Sequence, residues 1–428
     1  MDVSVGQVGA VDMLVLSSFM EHLSYKIMFP FMLAMYTMYY LLSARSYPTV
    51  YARSSKLSSF FKNHLQFVRD VHIPFVLGFT GRVQTVLRPL FKTVSKLVYE
   101  EEVITLADGG EVKLSWYTDK NRNATCPIVI VLPGLAGCAC NHYIVTLVRR
   151  IAIQGYRCVI LNNRGTCGQK LKTPRGYCAS NTDDLSEVIS TIRNRYPEAP
   201  RTAIGISLGA LTLFHYLSDF GKENAAVVSS EPSSVGTRKK LAGKPCPLRA
   251  GMCISMPWEL SESSKSLEGY LNWLLFNRPL TSSIRKIVTR NADVLSEKYD
   301  VQKILKCRSL REFDNNVTAT MFGFSSAEEY YKQSSPAFKL DTIKVPLLCL
   351  AAADDPFVPL NSIPVDAISQ SSHIVLVLTK RGGHIGFLNG LSPKGPNLMD
   401  RAAAEFCSAV FENLDELLSA AEETASTA

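Results

Sequence analysis

Histidine is scarce in this chain, 7 in 428 residues, and no two form an HExxH pair or sit at helical ligand spacing. Cysteine is present, 11 residues, but in odd number and without a framework spacing. That excludes a disulfide-stapled secreted scaffold, and thiols inside apolar runs (Cys158, Cys253, Cys349) read as small buried hydrophobes in a reducing compartment. Cys138 and Cys140 are too close for a CxxC redox or zinc pair, so no metal site is expected. Charged residues make up only 20%, and the net charge of +8 is spread along the chain. With no basic cluster interleaved with aromatics, nucleic acid is excluded as a partner, which leaves an anionic membrane surface as the reading of that charge.

What the chain does have is hydrophobic mass, 46%, enough for a large core. Ile27 to Ser43 is an uncharged apolar run between Lys26 and Arg45, carrying Tyr36, Tyr39 and Tyr40. A spanning helix needs roughly 20 residues, with a lower limit of about 17. The run is read as an N-terminal membrane helix within residues 26–45, after a 1–25 tail; a buried hydrophobic helix is the alternative. No small-x-small cleavage site follows, which argues against a signal peptide. Basic residues after the run (Arg45, Arg53, Lys56, Lys62, Arg69) and acidic ones before it place the C-terminal body in the cytosol. Two sequons, at Asn123 and Asn316, point the other way. Residues 46–100 alternate basic and bulky apolar side chains, suited to helices lying on a bilayer or against the body.

From residue 101 the pattern becomes that of an α/β domain, reaching to about residue 424. Glu102–Leu106 and Glu111–Tyr117 flank a Gly turn and predict a hairpin. Continuous apolar runs at Pro127–Leu132, Arg157–Leu161, Arg201–Ile206, Ala250–Ser255, Val345–Ala351 and His373–Leu378 predict buried strands. Helical patterns lie between them, at Tyr143–Gln154, Asp183–Arg195 and Leu208–Phe220, and a long terminal helix is expected over Leu398–Ala421. The alternation predicts a mostly parallel central sheet with helices on both faces. Pro257–Lys339 is too long for a plain crossover and reads as a helical cap, the cap and insertion together spanning about 225–340. Within it, Val227–Arg249 is polar and breaker-rich, a surface loop.

Four stretches could carry chemistry. Gly205-Ile206-Ser207-Leu208-Gly209 has the form of a nucleophile elbow, a serine on a sharp strand-to-helix turn. Pro133 to Gly137 follows a strand and can offer the N–H of Leu135 to an oxyanion, with the N–H of Leu208 as second donor. Asp354-Asp355 follows another strand, and His384 sits in the glycine-rich Gly382 to Phe387 loop after the last one. Each alone is equally an ordinary turn. The order Ser207, Asp355, His384, each at a separate strand end, is that of a serine hydrolase on an α/β sheet. His142, near the Leu135 loop, is a weaker substrate-contact candidate; other substrate-binding residues are unknown. Arg164 and Arg175 are read as structural ion pairs.

These stretches, with Gly81–Thr85, Asn163–Gly165, Leu171–Arg175, Leu271–Asn277, Arg311–Asp314 and Glu329–Tyr331, resemble α/β-hydrolase family 4. The resemblance covers residue 54 to the C-terminal helix. It implies the α/β-hydrolase fold, Ser207 as nucleophile, Asp355 as acid and His384 as base. Asp355 is preferred to Asp354 by its spacing to Pro359. It further implies a membrane-bound lipase or esterase acting on a lipid ester, in the animal branch a glycerophospholipid, without a cofactor. An acyltransferase or thioesterase using the same residues, and a non-catalytic membrane scaffold, are the alternatives.

Overall fold

The structure is a computed structural model describing residues 25–90, 96–118, 123–228, 246–392 and 397–426. The chain divides into two compact units, Met1–Ser46 and Tyr47–Ala428.

In the first unit, residues 25–39 are α-helical and pass into a π-turn at Tyr40–Ala44. The structure does not support the expected membrane helix. Among the described residues no helix is long and apolar enough to cross a membrane. On this segment Met28, Phe29, Phe31, Met32 and Leu33 are all exposed. The 1–25 tail lies almost wholly outside the described residues.

The second unit is built on one sheet. Its strands are β1 (Thr49–Tyr51), β2 (Glu100–Thr105), β3 (Glu111–Tyr117), β4 (Ile128–Leu132), β5 (Arg157–Asn162), β6 (Arg201–Ile206), β7 (Gly251–Ile254), β8 (Leu347–Ala352) and β9 (Ile374–Thr379). Their spatial order is β1-β9-β8-β7-β6-β4-β5-β3-β2. The six strands from β9 to β5 run parallel, and antiparallel β1, β3 and β2 complete the edges. All residues of β4 to β9 are buried, which is why these segments read as unbroken apolar runs rather than alternating ones. The predicted hairpin forms, with Gly109 at φ 76° in its turn. Its outer strand carries Glu100, Glu101 and Glu102, charges that discourage further strand pairing.

Residues 47–100 supply more than a connection. β1 extends the sheet past β9, too short for its pattern to stand out in the sequence. Helix α1 (Lys56–His64), capped by Ser55, buries Leu57, Phe60 and Phe61 against the body, Phe61 stacking on Phe406 at 6.4 Å. Of the two readings of this stretch, packing on the body is the one observed. Helix α2 (Gly81–Leu87) reaches the strand ends, as described below.

Helices α3 (His142–Ala152), α4 (Asp183–Arg195) and α5 (Leu208–Val228) cover the sheet faces. The terminal helix predicted as one piece is two, α9 (Leu398–Glu412) and α10 (Leu414–Ser426), broken where Asn413 leaves helical geometry. The break lets Leu417 and Ala420 join the core beneath α1. Between β7 and β8 the expected cap is helical, with α6 (Leu260–Glu268), α7 (Arg278–Arg290) and α8 (Ala327–Gln333). Most of the 227–249 loop falls outside the described residues.

Three buried histidines are held neutral. Burial pushes His215 down to about 3, and His72 and His373 to about 4. The unfolded chain takes up these protons below about pH 6.5, the folded chain only near pH 3 to 4. Stability is therefore expected to fall as pH drops through that window, by up to about 1.4 kcal/mol per pH unit for each histidine. His215→Gln, which can still donate to the Ser334 carbonyl that His215 meets at 3.0 Å, is expected to flatten the slope by about one proton in urea unfolding at pH 6 and pH 4.5.

Candidate active site

Ser207 is the single residue between β6 and α5, and its φ is 55°. A left-handed backbone at a residue with a Cβ is strained, and strain of this kind persists only where the surroundings enforce it. Here they do. A Cβ on Gly209 would run into the Leu132 carbonyl oxygen, and one on Gly205 would sit 2.5 Å from the Ala210 Cα. The Ser207 N–H donates to the Ile254 carbonyl of β7 at 2.9 Å, fixing the turn across the sheet.

Ser207 Oγ lies 2.8 Å from His384 Nε2. The other ring nitrogen, Nδ1, is 2.9 and 3.1 Å from the two carboxylate oxygens of Asp355. An ionised carboxylate only accepts, so Nδ1 carries a proton and Nε2 is left to accept from the serine hydroxyl. The side chains of His384 and Asp355 are 4% and 2% exposed. Asp355 Oδ1 also accepts from the N–H groups of Phe357 (2.8 Å) and Val358 (3.3 Å). The structure thus brings Asp355, rather than Asp354, to the imidazole. Asp354 instead accepts from the N–H groups of Gly382 and Gly383, both at 2.9 Å, and so braces the loop that carries the histidine. The Phe357 ring stacks on the imidazole at 3.9 Å and 10°.

Much of the support comes from α2. The His384 N–H donates to Thr85 Oγ1 at 2.8 Å, whose hydroxyl donates to the Gly81 carbonyl at 2.7 Å. Gln84, wholly buried, donates to Gly78 and accepts from the Leu388 N–H. Backbone meets backbone here: a Cβ on Gly81 would overlap the Asp354 carbonyl, and one on Gly383 the Gly81 carbonyl. The sequence showed Gly81–Thr85 only as a matching stretch. Two uncharged polar residues after a glycine carry no local sign of a distant partner.

Around the Leu135 loop two half-buried tyrosines were missed. Tyr143 Oη accepts from the Gly134 N–H and Tyr177 Oη from the Ala136 N–H, both at 3.0 Å. The N–H groups on either side of Leu135 are thereby occupied. Neither the Leu135 nor the Leu208 N–H is given to an acceptor among the described residues.

Ser207 and His384 open on a cavity of about 880 Å³. Cap residues Leu260, Leu267, Phe276, Ile284 and Val317 contribute to an apolar wall, and His142 also lines it. Asp314, in a π-turn at Asp314–Thr318, is a polar exception. Burial pushes its carboxyl up to about 6, against the pull of hydrogen bonds from Thr318 (2.7 Å) and Tyr331 (2.8 Å). Arg164 is buried between Asp108 and Asp184, each within 2.7 Å, and Arg175 pairs with Asp108 and Asp183, in keeping with structural roles for both arginines.

A parallel sheet with a serine at a strand-to-helix elbow and a helical cap over its strand ends defines an α/β-hydrolase. Comparison with known proteins agrees. A family model described as the alpha/beta hydrolase fold matches residues 127–243. Phospholipase ABHD3 of Homo sapiens is 36% identical over 389 residues, covering 89% of this chain and 89% of that protein. The Mus musculus phospholipase ABHD3 is 37% identical over 388 residues, again 89% of each. Monoacylglycerol lipase of Saccharomyces cerevisiae is 28% identical, over 64% of this chain and 57% of that protein. The chain belongs to the α/β-hydrolase superfamily, within its ABHD family, and is a hydrolase of the lipase/esterase type.

Two outcomes follow from this geometry. Thr85→Val removes the acceptor of the His384 N–H and is expected to cost about 1–3 kcal/mol in urea unfolding. For Asp314 the folded chain holds a proton up to about pH 6, while the unfolded chain releases it near 3.8. The folded state binds more protons in between, so this residue's contribution to stability declines as pH rises from about 4 to about 6. Asp314→Asn is expected to remove that decline, read as a larger net rise in stability between pH 4.5 and pH 7.5 than in the unaltered protein.

Proposed function

We propose that this protein is a serine hydrolase that cleaves acyl esters of lipids, a phospholipase acting on glycerophospholipids. The observation that carries the reading is the hydrogen-bonded series Ser207, His384, Asp355 at the mouth of a capped apolar cavity. In this mechanism Ser207 Oγ attacks the ester carbonyl while His384 Nε2 takes its proton. The imidazolium that forms is held and stabilised by Asp355. The negative charge on the carbonyl oxygen is met by the N–H groups of Leu135 and Leu208. His384 then protonates the departing alcohol, leaving an acyl-enzyme. Water, deprotonated by His384, releases the fatty acid and restores the serine.

The apolar cap wall suits a hydrocarbon chain better than a polar acyl group, and relatives named phospholipase and monoacylglycerol lipase support a lipid ester. The exposed apolar helix at residues 25–39 is suited to contact with a lipid surface. An acyltransferase or thioesterase would use the same first step with a different acceptor or leaving group.

A fluorophosphonate probe is expected to label the folded protein and not Ser207→Ala. Hydrolysis of phosphatidylcholine in mixed micelles is expected to fall at least about 10³-fold in that variant. Failure of the folded, unaltered protein to label would end the hydrolase reading. Labelling without fatty-acid release from the phospholipid would overturn the phospholipase assignment alone.

A further inference from the structure

Three thiols from two loops converge beside the Leu135 loop. Cys138 and Cys140 lie between β4 and α3, and Cys167 follows β5. β4 and β5 are parallel neighbours, with Val131 opposite Ile160, so the loops that leave them start side by side. The three sulfur atoms all lie within 4.8 Å of one another. All three are free thiols, Cys138 and Cys167 half-buried and Cys140 exposed. Among the described residues no other group of three or more His, Cys, Asp or Glu side chains has metal-ligand spacing.

The arrangement is braced from below. Asn162, the last residue of β5, accepts from the Ala139 N–H at 2.8 Å, and Ala139 lies between the two cysteines of the first loop. Its amide nitrogen donates to Ser115 Oγ and the Lys113 carbonyl, so one buried side chain ties the first loop to the sheet, and Lys113 Nζ donates to the Cys167 carbonyl at 3.4 Å. In the second loop Cys167 itself is left-handed, φ 51°, between Gly165 at 73° and Gly168 at 77°. Other thiols have a plain packing role: Cys158, Cys253, Cys349 and Cys407 are buried in the two main cores. The three clustered ones belong to neither.

We propose that Cys138, Cys140 and Cys167 bind a thiophilic metal ion of the zinc class, with a fourth position left to water. Tetrahedral zinc with Zn–S bonds of about 2.3 Å sets its sulfurs about 3.8 Å apart, a small closure of the spacing present here. Thiolates are the ligands that soft and borderline ions prefer. Binding forms three Zn–S bonds and releases three thiol protons to solvent, with no change of oxidation state. The linear spacing Cys-x-Cys argued against a metal site because the third ligand comes from the loop of the neighbouring strand. Cys140 also belongs to the cavity wall, which puts the ion at the cavity's rim.

The test is titration of the reduced, full-length protein with Co²⁺, followed by displacement with Zn²⁺. The expected result is a near-ultraviolet thiolate-to-cobalt charge-transfer band that saturates at one ion per chain and disappears as Zn²⁺ is added. Cys167→Ser is expected to weaken uptake at least about tenfold. Cys140→Ser, at an exposed position, is expected to do the same and serves should Cys167→Ser not fold. Cys246→Ser, outside the cluster, is expected to leave the band unchanged. Absence of the band in folded, reduced protein overturns the proposal. So does a band that survives both cluster substitutions.

Discussion

The left-handed turn at Ser207 is the constraint on which the rest of the structure depends. A serine at φ 55° is held above the sheet only because the chain around it cannot relax. Gly209 is pressed against the end of β4, Gly205 against the first turn of α5, and the Ser207 N–H is bound to β7. Two of the three restraints come from neighbouring parallel strands, and the third from the helix the turn leads into. A sheet buried on both faces is the kind of scaffold that can hold such a turn, because slippage of any one strand would expose its apolar side chains. The cost of the strained residue, of the order of 1–3 kcal/mol, is small beside the burial of six such strands.

The histidine faces the converse problem. Its loop follows β9, two strands beyond β7, and contains left-handed residues at Gly383, Ile385 and Phe387. A loop of that kind has few hydrogen bonds of its own. It is held from outside by Asp354 below, Ser255 Oγ at the Ile385 N–H, and Thr85 and Gln84 from α2. The N-terminal segment that carries α2 therefore takes part in aligning the imidazole, although none of its residues belongs to the Ser207–His384–Asp355 series.

What the sequence made legible follows from this division. Strands buried on both faces announce themselves as apolar runs, so β4 to β9 and their order with the helices could be read directly. The Ser207, Asp355 and His384 loops could be found because each follows such a run. The braces could not. Thr85, Gln84 and Tyr177 act through one hydrogen bond each to a residue far along the chain, Tyr143 through one to Gly134 within its own loop-to-helix segment, and nothing in their own neighbourhood marks them. The break at Asn413 and the short strand β1 are likewise decided by what they pack against. At Ile27–Ser43 composition recorded the hydrophobicity, but not that the described helix passes into a π-turn at Tyr40–Ala44.

The cavity wall shows the same dependence on distant partners. Hydrocarbon would be the least costly lining for a pocket made by Leu260, Leu267, Phe276 and Ile284. Asp314 departs from it, and a carboxylate there would be expensive without partners. Thr318 reaches it from one turn further along, which the π-turn permits, and Tyr331 reaches it from α8. Two hydroxyl donors reduce the cost of the charge without removing it, which is why the carboxyl remains a weaker acid than usual. Two of the cap's helical elements are thus joined by a polar contact inside a largely apolar wall. Such a contact has directional demands that hydrocarbon packing lacks, so it restricts how those elements can be arranged over Ser207.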